Sequence, residues 1–249
     1  MRISNSNPHF DVRPSLITGE TADLYLHRTQ RVLRNEGLNP PVVMDFTPSN
    51  PGTLCGTMEV KAILSKVAPE GARELWAVEE GDEVGVDEVC LSIRAAYSPF
   101  GLYETAICGV LASSTGWATV ARECVQAARG VPIVCVGAHS VHPSVAPVMD
   151  YSAVVGGCFT GSTVLGTKLA GTQPTSTVSG ALIQIMGSAN KAIEAFDRSV
   201  APEVPRIAYV DPRGDVVAQT MEIAHLMKER LNAVRIARIP GARLVTAEI

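Results

Sequence analysis

The segment "PIVCVGAHSVHPSVAPVMDY", at positions 132–151, joins an apolar run to a pair of histidines and a further apolar stretch. The pattern predicts a buried strand over 131–137 and a helix over 143–155. His139 and His142 lie between these two elements, so they stand just past the end of the predicted strand. Polar residues at the end of a buried strand are candidates for a functional site, and the fold of the rest of the chain decides what they face.

The same order of strand and helix recurs along the C-terminal half of the chain. Strand followed by helix, repeated, indicates right-handed βαβ units and a parallel sheet, and this many units favour a barrel over an open sheet. Residues just past the strand ends of such a barrel face the active site. The predicted strands cover 131–137, 156–162, 180–187, 206–211 and 233–239, with helices at 143–155, 163–171, 189–200 and 215–231. The strand-end positions are His139, His142, Phe159–Thr163, Met186–Asn190, Asp211–Asp215 and Arg235–Arg238.

The first hundred residues have a different pattern. Helices are predicted at 20–36 and 56–67, a strand at 41–49, and antiparallel strands at 74–84 and 88–97. We therefore predict an N-terminal α+β sandwich domain over 1–100 and a parallel α/β barrel domain over 101–249. The alanine-rich segment that opens the second domain, 101–129, is predicted to form two helices separated at Ser113–Gly116.

Composition excludes several classes of function. Hydrophobic residues make up 46% of the chain and charged residues 18%, which is typical of a globular protein. A net charge of −4 gives no basic surface for nucleic acid or an anionic membrane. The N-terminus has no apolar signal core, and no apolar run reaches transmembrane length, so we expect a cytoplasmic protein with a small-molecule ligand. The six cysteines form no C-x-x-C pair and no zinc spacing, which favours buried thiols in a reducing compartment.

Two candidate sites admit more than one interpretation. His139 and His142 have a spacing that suits a metal, but no third ligand stands in a convincing position, which favours a hydrogen-bonded role. The carboxylates of "DPRGD", Asp211 and Asp215, suit sugar hydroxyls or Mg²⁺, although proline and glycine also make this sequence a solvated turn. Tyr25, taken alone, is a half-buried helix residue.

Four longer segments together resemble a known family. They are "GETADLYLHRTQRVLRNEG" (19–37), "FGLYETAICGVLASSTGWATVARE" (100–123), "VHPSVAPVMDYSAVVGGC" (141–158) and "AFDRSVAPEVPRIAYVD" (195–211). They resemble bacterial and archaeal nicotinate phosphoribosyltransferases, which are related to quinolinate phosphoribosyltransferase. The resemblance implies a type II phosphoribosyltransferase-like fold, an α/β sandwich joined to an irregular α/β barrel. It also implies transfer of ribose phosphate from phosphoribosyl pyrophosphate to a pyridine carboxylate, with Mg²⁺.

The resemblance assigns roles to individual residues. Tyr25 matches a tyrosine that stacks on the pyridine ring, often from a neighbouring subunit, and His142 matches the histidine of a "V-H-P" motif. Asp211 matches an acidic residue near the ribose, and Arg235 matches the arginine of "V-R-L-D-T-P". Other polar positions depart from the pattern: histidine replaces arginine at His139, phenylalanine replaces aspartate at Phe159, and residues 177–182 lack the histidine of "T-M-P-H-A-L".

These departures predict a nicotinate phosphoribosyltransferase-like protein with a rebuilt pocket that binds or modifies a pyridine or other ring carboxylate. Two other hypotheses are a scaffold recruited to cyclisation or ring modification in specialised metabolism, and a non-catalytic binding or partner subunit. We predict catalytic roles for His139 and Asp211, substrate-binding roles for Tyr25, His142, Phe159 and Arg235, and no protein-held metal beyond the Mg²⁺ that the resemblance implies.

The length of the second domain bears on assembly. About 150 residues follow the first domain, fewer than the roughly 250 of a typical complete barrel. An incomplete barrel leaves an open parallel edge, which must be covered or paired. We therefore expect a homo-oligomer, or a partner chain that covers the edge.

Overall fold

A computed structural model describes residues 9–68, 73–211 and 213–236. The chain divides into two compact units, one ending at Pro174 and one beginning at Thr175. The domain boundary expected at residue 100 stays a prediction. Within the described residues, no helix is long and apolar enough to span a bilayer.

The first unit is built on a three-stranded antiparallel sheet with the order β1-β5-β3. In the central strand, Leu91, Ile93 and Ala95 are buried and alternate with more exposed residues, as the two-residue period of a strand requires. These side chains pack with Val60 and Leu64 in one hydrophobic core. The strands are β1 (Pro41–Phe46), β2 (Gly52–Thr53), β3 (Arg73–Ala77), β4 (Glu83–Val84) and β5 (Leu91–Ala96), with β2 and β4 forming a separate antiparallel pair, and the helices before the last strand are α1 (Pro14–Ile17), α2 (Leu24–Asn35) and α3 (Thr57–Val67).

The prediction of two helices over 101–129 is wrong, because one helix, α4, runs without interruption from Glu104 to Ala127. The hydroxyl of Ser113 donates to the carbonyl oxygen of Gly109 at 2.7 Å, four residues back in the helix. The hydroxyl of Thr115 donates to the carbonyl of Cys55, outside the helix, at 3.2 Å, while the buried hydroxyl of Ser114 has no partner among the described residues. Buried residues at positions 107, 111, 114, 118 and 121 form one continuous helical stripe.

Two short parallel segments and two helices complete the first unit. The predicted strands at 131–137 and 156–162 are reduced to one parallel bridge, between Val134 and Thr160. The backbone N–H of Cys135 donates to the carbonyl of Thr160 at 2.9 Å, and the N–H of Phe159 donates to the carbonyl of Ile133 at 2.7 Å. The helices that follow the two segments are α5 (Ala146–Val155) and α6 (Val164–Leu169).

The second unit contains the βαβ arrangement expected of a parallel sheet. Strands β6 (Ile207–Val210) and β7 (Ala233–Ile236) pair in parallel and are connected through helix α9 (Val216–Met227). Helix α8 (Ala189–Ser199) contributes Ile193 to the core of this unit. The other core side chains are Val178, Ala192, Ala208, Val210, Ile223 and Met227.

The predicted strand at 180–187 is wrong, because residues Gly180–Met186 form helix α7. Ser179 caps its N-terminus, and its hydroxyl oxygen accepts a hydrogen bond from the N–H of Leu182 at 3.1 Å. Gly187 ends the helix in the left-handed conformation, with φ of 71°. A short apolar run does not by itself distinguish a strand from a buried helix, and here the caps decide. Residues 186–190 therefore comprise the end of α7, a two-residue link and the start of α8, and they do not follow a strand.

The fold class is the predicted one. An N-terminal region of sheet and helices is followed by a largely helical α/β region with parallel strand pairing.

Candidate functional site

The ends of two neighbouring parallel segments in the first unit bring two predicted site residues into one region. His139 lies in a 3-10 turn, Ala138–Ser140, that follows the bridged segment at Val134. Phe159 lies on the second segment, and its side chain is 63% exposed. Both loops leave the same edge of the pair because parallel strands end on the same side. An imidazole and an exposed aromatic ring thus emerge from adjacent backbone segments.

His142 belongs to the loop that leads into α5. Its side chain is exposed, and its Nδ1 accepts a hydrogen bond from the backbone N–H of Ser144 at 3.2 Å. The carbonyl of Ser144 also accepts from the guanidinium of Arg13 at 3.1 Å. This local hydrogen bond fits the structural interpretation of His142, while its substrate-binding role stays a prediction.

A buried carboxylate that sequence reasoning missed lies beneath the second loop. Asp150, on α5, is fully buried, and its Oδ2 accepts hydrogen bonds from the backbone N–H groups of Ser162 and Thr163 at 3.1 and 2.7 Å. The hydroxyl of Thr163 donates to the same oxygen at 2.6 Å. A detectable signal was present in the sequence, because an aspartate within the apolar run "VMDY" is buried only when it is paired.

A half-buried carboxylate, that of Glu80, joins three elements of the first unit. Oε1 of Glu80 accepts from the backbone N–H groups of Gly56 and Met58 at 2.8 and 2.9 Å, where α3 begins. The partial positive charge of a helix N-terminus favours such a carboxylate. The hydroxyl of Tyr151, on α5, donates to Oε2 of Glu80. Burial is the main reason that the pKa of Tyr151 is raised, and the neighbouring Glu80 carboxylate adds to it.

Glu59, in the first turn of α3, is the most perturbed carboxyl group near this cluster. Burial raises its pKa from 4.5 to about 7, and the charge of Glu80 acts in the same direction. The guanidinium of Arg13 opposes the shift. The thiol of Cys55 and the phenol of Tyr151 also feel the charge of Glu59. The carboxyl group therefore titrates near neutral pH.

Tyr25 lies on α2, in the first unit. Its ring is 54% exposed, and its hydroxyl donates to Oε1 of Glu104, at the start of α4, at 3.0 Å. That hydrogen bond is the main reason that the pKa of Tyr25 is raised. The carboxylate of Asp23 accepts from the hydroxyl of Thr105 at 2.8 Å, so two hydrogen bonds hold the start of α2 against the start of α4. The exposed ring leaves Tyr25 free to contact a ligand or another chain.

Asp211 directly follows β6 in the second unit, and its carboxylate is engaged by Arg213. Nη2 of Arg213 donates to Oδ2 at 2.6 Å, and Nε donates to Oδ1 at 3.0 Å. The backbone N–H of Arg213 also donates to Oδ1, at 3.0 Å. The hydrogen bonds from the Arg213 side chain are the main cause that lowers the pKa of Asp211 to about 2. A carboxylate with this pKa remains an anion at neutral pH and is a poor proton carrier.

Arg235 lies on β7 opposite Tyr209 of β6. Its Nη1 donates to the hydroxyl of Thr177 at 3.4 Å. Because Asp211 follows the paired strand, both residues stand toward the carboxyl ends of the β6–β7 pair. The structure thus groups the predicted residues as His139 and Phe159 in the first unit, and as Asp211 and Arg235 in the second. Their assigned roles stay predictions.

The residues that the structure describes do not fit a protein-held magnesium ion. Among them, no three His, Cys, Asp or Glu side chains are placed to hold a metal. Asp211, the strand-end carboxylate that the sequence suggested for Mg²⁺, forms an ion pair with Arg213. No step of the function proposed below therefore relies on a metal.

Comparison with known proteins places these features in a family context. Residues 23–115 match the family "Quinolinate phosphoribosyl transferase, N-terminal domain". The chain is 33% identical to the nicotinate-nucleotide pyrophosphorylase from Pyrococcus furiosus, with a TM-score of 0.84 over 94% of this chain and 61% of that one. It is 25% identical over 187 residues to the carboxylating nicotinate-nucleotide pyrophosphorylase of Mycobacterium leprae (strain TN), which covers 75% of this chain and 63% of the relative.

A third relative shares the fold. The nicotinate-nucleotide pyrophosphorylase from Francisella tularensis has a TM-score of 0.66 and 10% identity, covering 95% of this chain and 79% of that one. The chain spans less than two thirds of the length of the Pyrococcus and Mycobacterium relatives. Residues 23–115 are therefore similar to the N-terminal domain of quinolinate phosphoribosyltransferases, and most of the chain is similar to nicotinate-nucleotide pyrophosphorylases.

Proposed function

We propose that this chain is a phosphoribosyltransferase-like protein that binds a pyridine or other ring carboxylate at the strand ends of its first unit. The observation that carries the proposal is the emergence of His139 and the exposed ring of Phe159 from adjacent parallel segments. A planar acid needs an aromatic surface for its ring and a donor for its carboxylate. Phe159 supplies the first and the N–H of His139 the second.

Standard phosphoribosyl transfer is expected to be weak. The relatives named above are nicotinate-nucleotide pyrophosphorylases, so the pyridine nucleotide is the reference product. Histidine at position 139 stands where the resembled family has arginine, and a neutral imidazole does not clamp an anion permanently. Each lost charge-assisted contact to a multiply charged donor is worth about 1.5–3 kcal/mol. We expect the purified chain to form little or no nicotinate mononucleotide, and turnover at an ordinary enzymatic rate would contradict this.

Calorimetric titration with nicotinate and quinolinate tests the binding proposal. We expect His139→Ala and Phe159→Ala to weaken binding by about tenfold or more, because each removes a direct contact. His142→Ala is the matched control, and it should mainly lower stability because that ring bonds its own loop. If His139→Arg restores binding of phosphoribosyl pyrophosphate while His139→Ala leaves nicotinate binding unchanged, the role of His139 is wrong.

We also propose that the chain assembles as a homo-oligomer with Tyr25 near the subunit boundary. Support comes from the outer face of α2, where Leu24, Tyr25 and Val32 are 61%, 54% and 58% exposed. Light scattering measures the oligomeric state of the parent protein and of Val32→Glu. We expect the variant to dissociate. Val120→Glu, at a valine of α4 that is 59% exposed, is the control. A monodisperse monomer at micromolar concentration would contradict the proposal and favour a partner chain.

A further inference from the structure

The loop that follows Phe159 is wrapped around one side chain, the carboxylate of Asp150. Its Oδ2 accepts from the N–H of Ser162 at 3.1 Å, and from the N–H and the hydroxyl of Thr163 at 2.7 and 2.6 Å. Three donors to one oxygen of a fully buried carboxylate fix the loop in both distance and direction. The path of the backbone just beyond Phe159 therefore depends on Asp150.

Packing around Asp150 leaves no room for the loop to shift toward it. A Cβ atom added at Gly161 would lie 2.6 Å from Cγ of Asp150, and one added at Gly166 would lie 2.6 Å from its Cβ. Only glycine permits this close approach of backbone to side chain. The carboxylate and the two glycines form one tightly fitted unit, which joins α5 to the loop and to α6.

The carboxylate of Asp150 also lies near the thiol of Cys135, on the segment that leads to His139. Oδ1 of Asp150 is buried and accepts no hydrogen bond from any residue in the described ranges. Burial is the main cause that raises the pKa of the Cys135 thiol to about 11, and the carboxylate of Asp150 raises it further. Cys135 lies on the first parallel segment, where its N–H donates to the carbonyl of Thr160. One carboxylate thus borders both segments whose ends form the proposed site.

We propose that Asp150 is the positioning residue of the ring-carboxylate site, because its Oδ2 holds the loop that follows Phe159 and its carboxylate lies beside Cys135, on the segment that leads to His139. The carboxylate does not reach the ligand itself, since it is fully buried. It acts through the backbone at Ser162 and Thr163 on one side and through the segment of Cys135 on the other. This inference rests on the proposed function, because it assumes that both loops contact the ligand.

The variant Asp150→Asn separates the charge of the group from its shape. The amide oxygen can still accept the loop hydrogen bonds, while the amide nitrogen takes the place of Oδ1. We expect the variant to fold, to bind nicotinate about tenfold more weakly, and to show faster alkylation of Cys135 at about pH 9 because the neighbouring negative charge is gone. Peptide mass spectrometry resolves Cys135 from the exposed Cys108, which serves as the internal reference.

Two further variants make the result interpretable. Thr163→Val removes one loop donor and keeps the Asp150 charge, so nicotinate affinity should fall about threefold while Cys135 reactivity stays unchanged. Asp45→Asn removes an exposed carboxylate of β1 and should change neither readout. The proposal is overturned if folded Asp150→Asn binds nicotinate as tightly as the parent protein, or if Cys135 reactivity stays the same.

The failure of the proposed function is a distinct outcome. If the parent protein binds neither nicotinate nor quinolinate, the ring-carboxylate proposal fails by itself. Amide hydrogen exchange then decides whether Asp150 holds the loops. Faster exchange at residues 160–163 in Asp150→Asn, with unchanged exchange in the sheet of the first unit, supports the positioning role, and unchanged exchange at 160–163 overturns it.

Discussion

Replacing Glu59 with glutamine should change how the stability of the first unit depends on pH. Burial and the neighbouring Glu80 raise the pKa of Glu59 from 4.5 to about 7 in the folded protein. Between these two values the unfolded chain has an ionised Glu59 and the folded chain has a protonated one. The folded state therefore binds more protons, and stability falls as pH rises from 4.5 to 7.

The size of this effect follows from the two pKa values. One pKa unit corresponds to about 1.4 kcal/mol, so ionisation of Glu59 costs at most about 3 kcal/mol of folding free energy. This loss of folding free energy is complete above pH 7 and absent below pH 4.5. Glutamine resembles the protonated acid in shape and polarity but does not titrate. We therefore expect Glu59→Gln to be more stable than the parent protein at pH 8, by an amount that shrinks toward zero near pH 4.5.

Urea unfolding followed by tryptophan fluorescence measures this difference at several pH values. The two tryptophans of the chain, Trp76 and Trp117, both lie in the unit that contains Glu59, so the signal reports on that unit. Glu74→Gln is the matched control, since that carboxylate is 79% exposed and forms only a long ion pair with Arg94. Its stability difference should not vary with pH. Parallel stability curves for Glu59→Gln and the parent protein from pH 5 to 8 would refute the reasoning.

Three further changes have defined outcomes. Arg213→Ala should raise the pKa of Asp211 from about 2 toward its ordinary range, because it removes the main hydrogen bonds to the carboxylate; an unchanged carboxyl titration by NMR contradicts this. Tyr151→Phe should lower the free energy of unfolding by about 1–3 kcal/mol, since Oε2 of Glu80 loses its donor in a partly buried position; urea unfolding that matches the parent protein would contradict this. Ser179→Ala should cost about 1 kcal/mol through loss of the α7 cap, and equal melting temperatures would count against that reasoning.

The elements that the sequence predicted best have a residue pattern that fits a strand or a helix, but not both. Strand β5 alternates buried with more exposed positions, and α8 begins at a serine cap and carries a clear apolar face. The predictions for the segments of helices α4 and α7 are wrong for opposite reasons. In α4 the polar residues indicate a break, although Ser113 bonds back within the helix and Thr115 bonds to Cys55 outside it. In α7 an apolar run indicates a strand, although the caps define a helix.

The candidate site was predictable only in part. His139 and Phe159 were found because they follow apolar segments, a feature that is visible along the chain. Asp150 and Glu80 were missed because their partners are far away in sequence: Thr163 is 13 positions from Asp150, and Tyr151 is 71 positions from Glu80. The periodicity of the sequence indicates which face of an element is buried. It does not indicate which donor, distant in sequence, forms a hydrogen bond with a carboxylate on that face.

The hydrogen bond between Tyr151 and Glu80 has a consequence for how this chain is made. It connects residues separated by 71 positions, and the carboxylate it satisfies sits within the segment that matches the family N-terminal domain, residues 23–115. On the ribosome, that segment emerges before Tyr151 does. We expect a nascent chain ending soon after α4 to hold a solvated, incompletely bonded Glu80, so that the N-terminal sheet acquires protease resistance only once α5 has been synthesised.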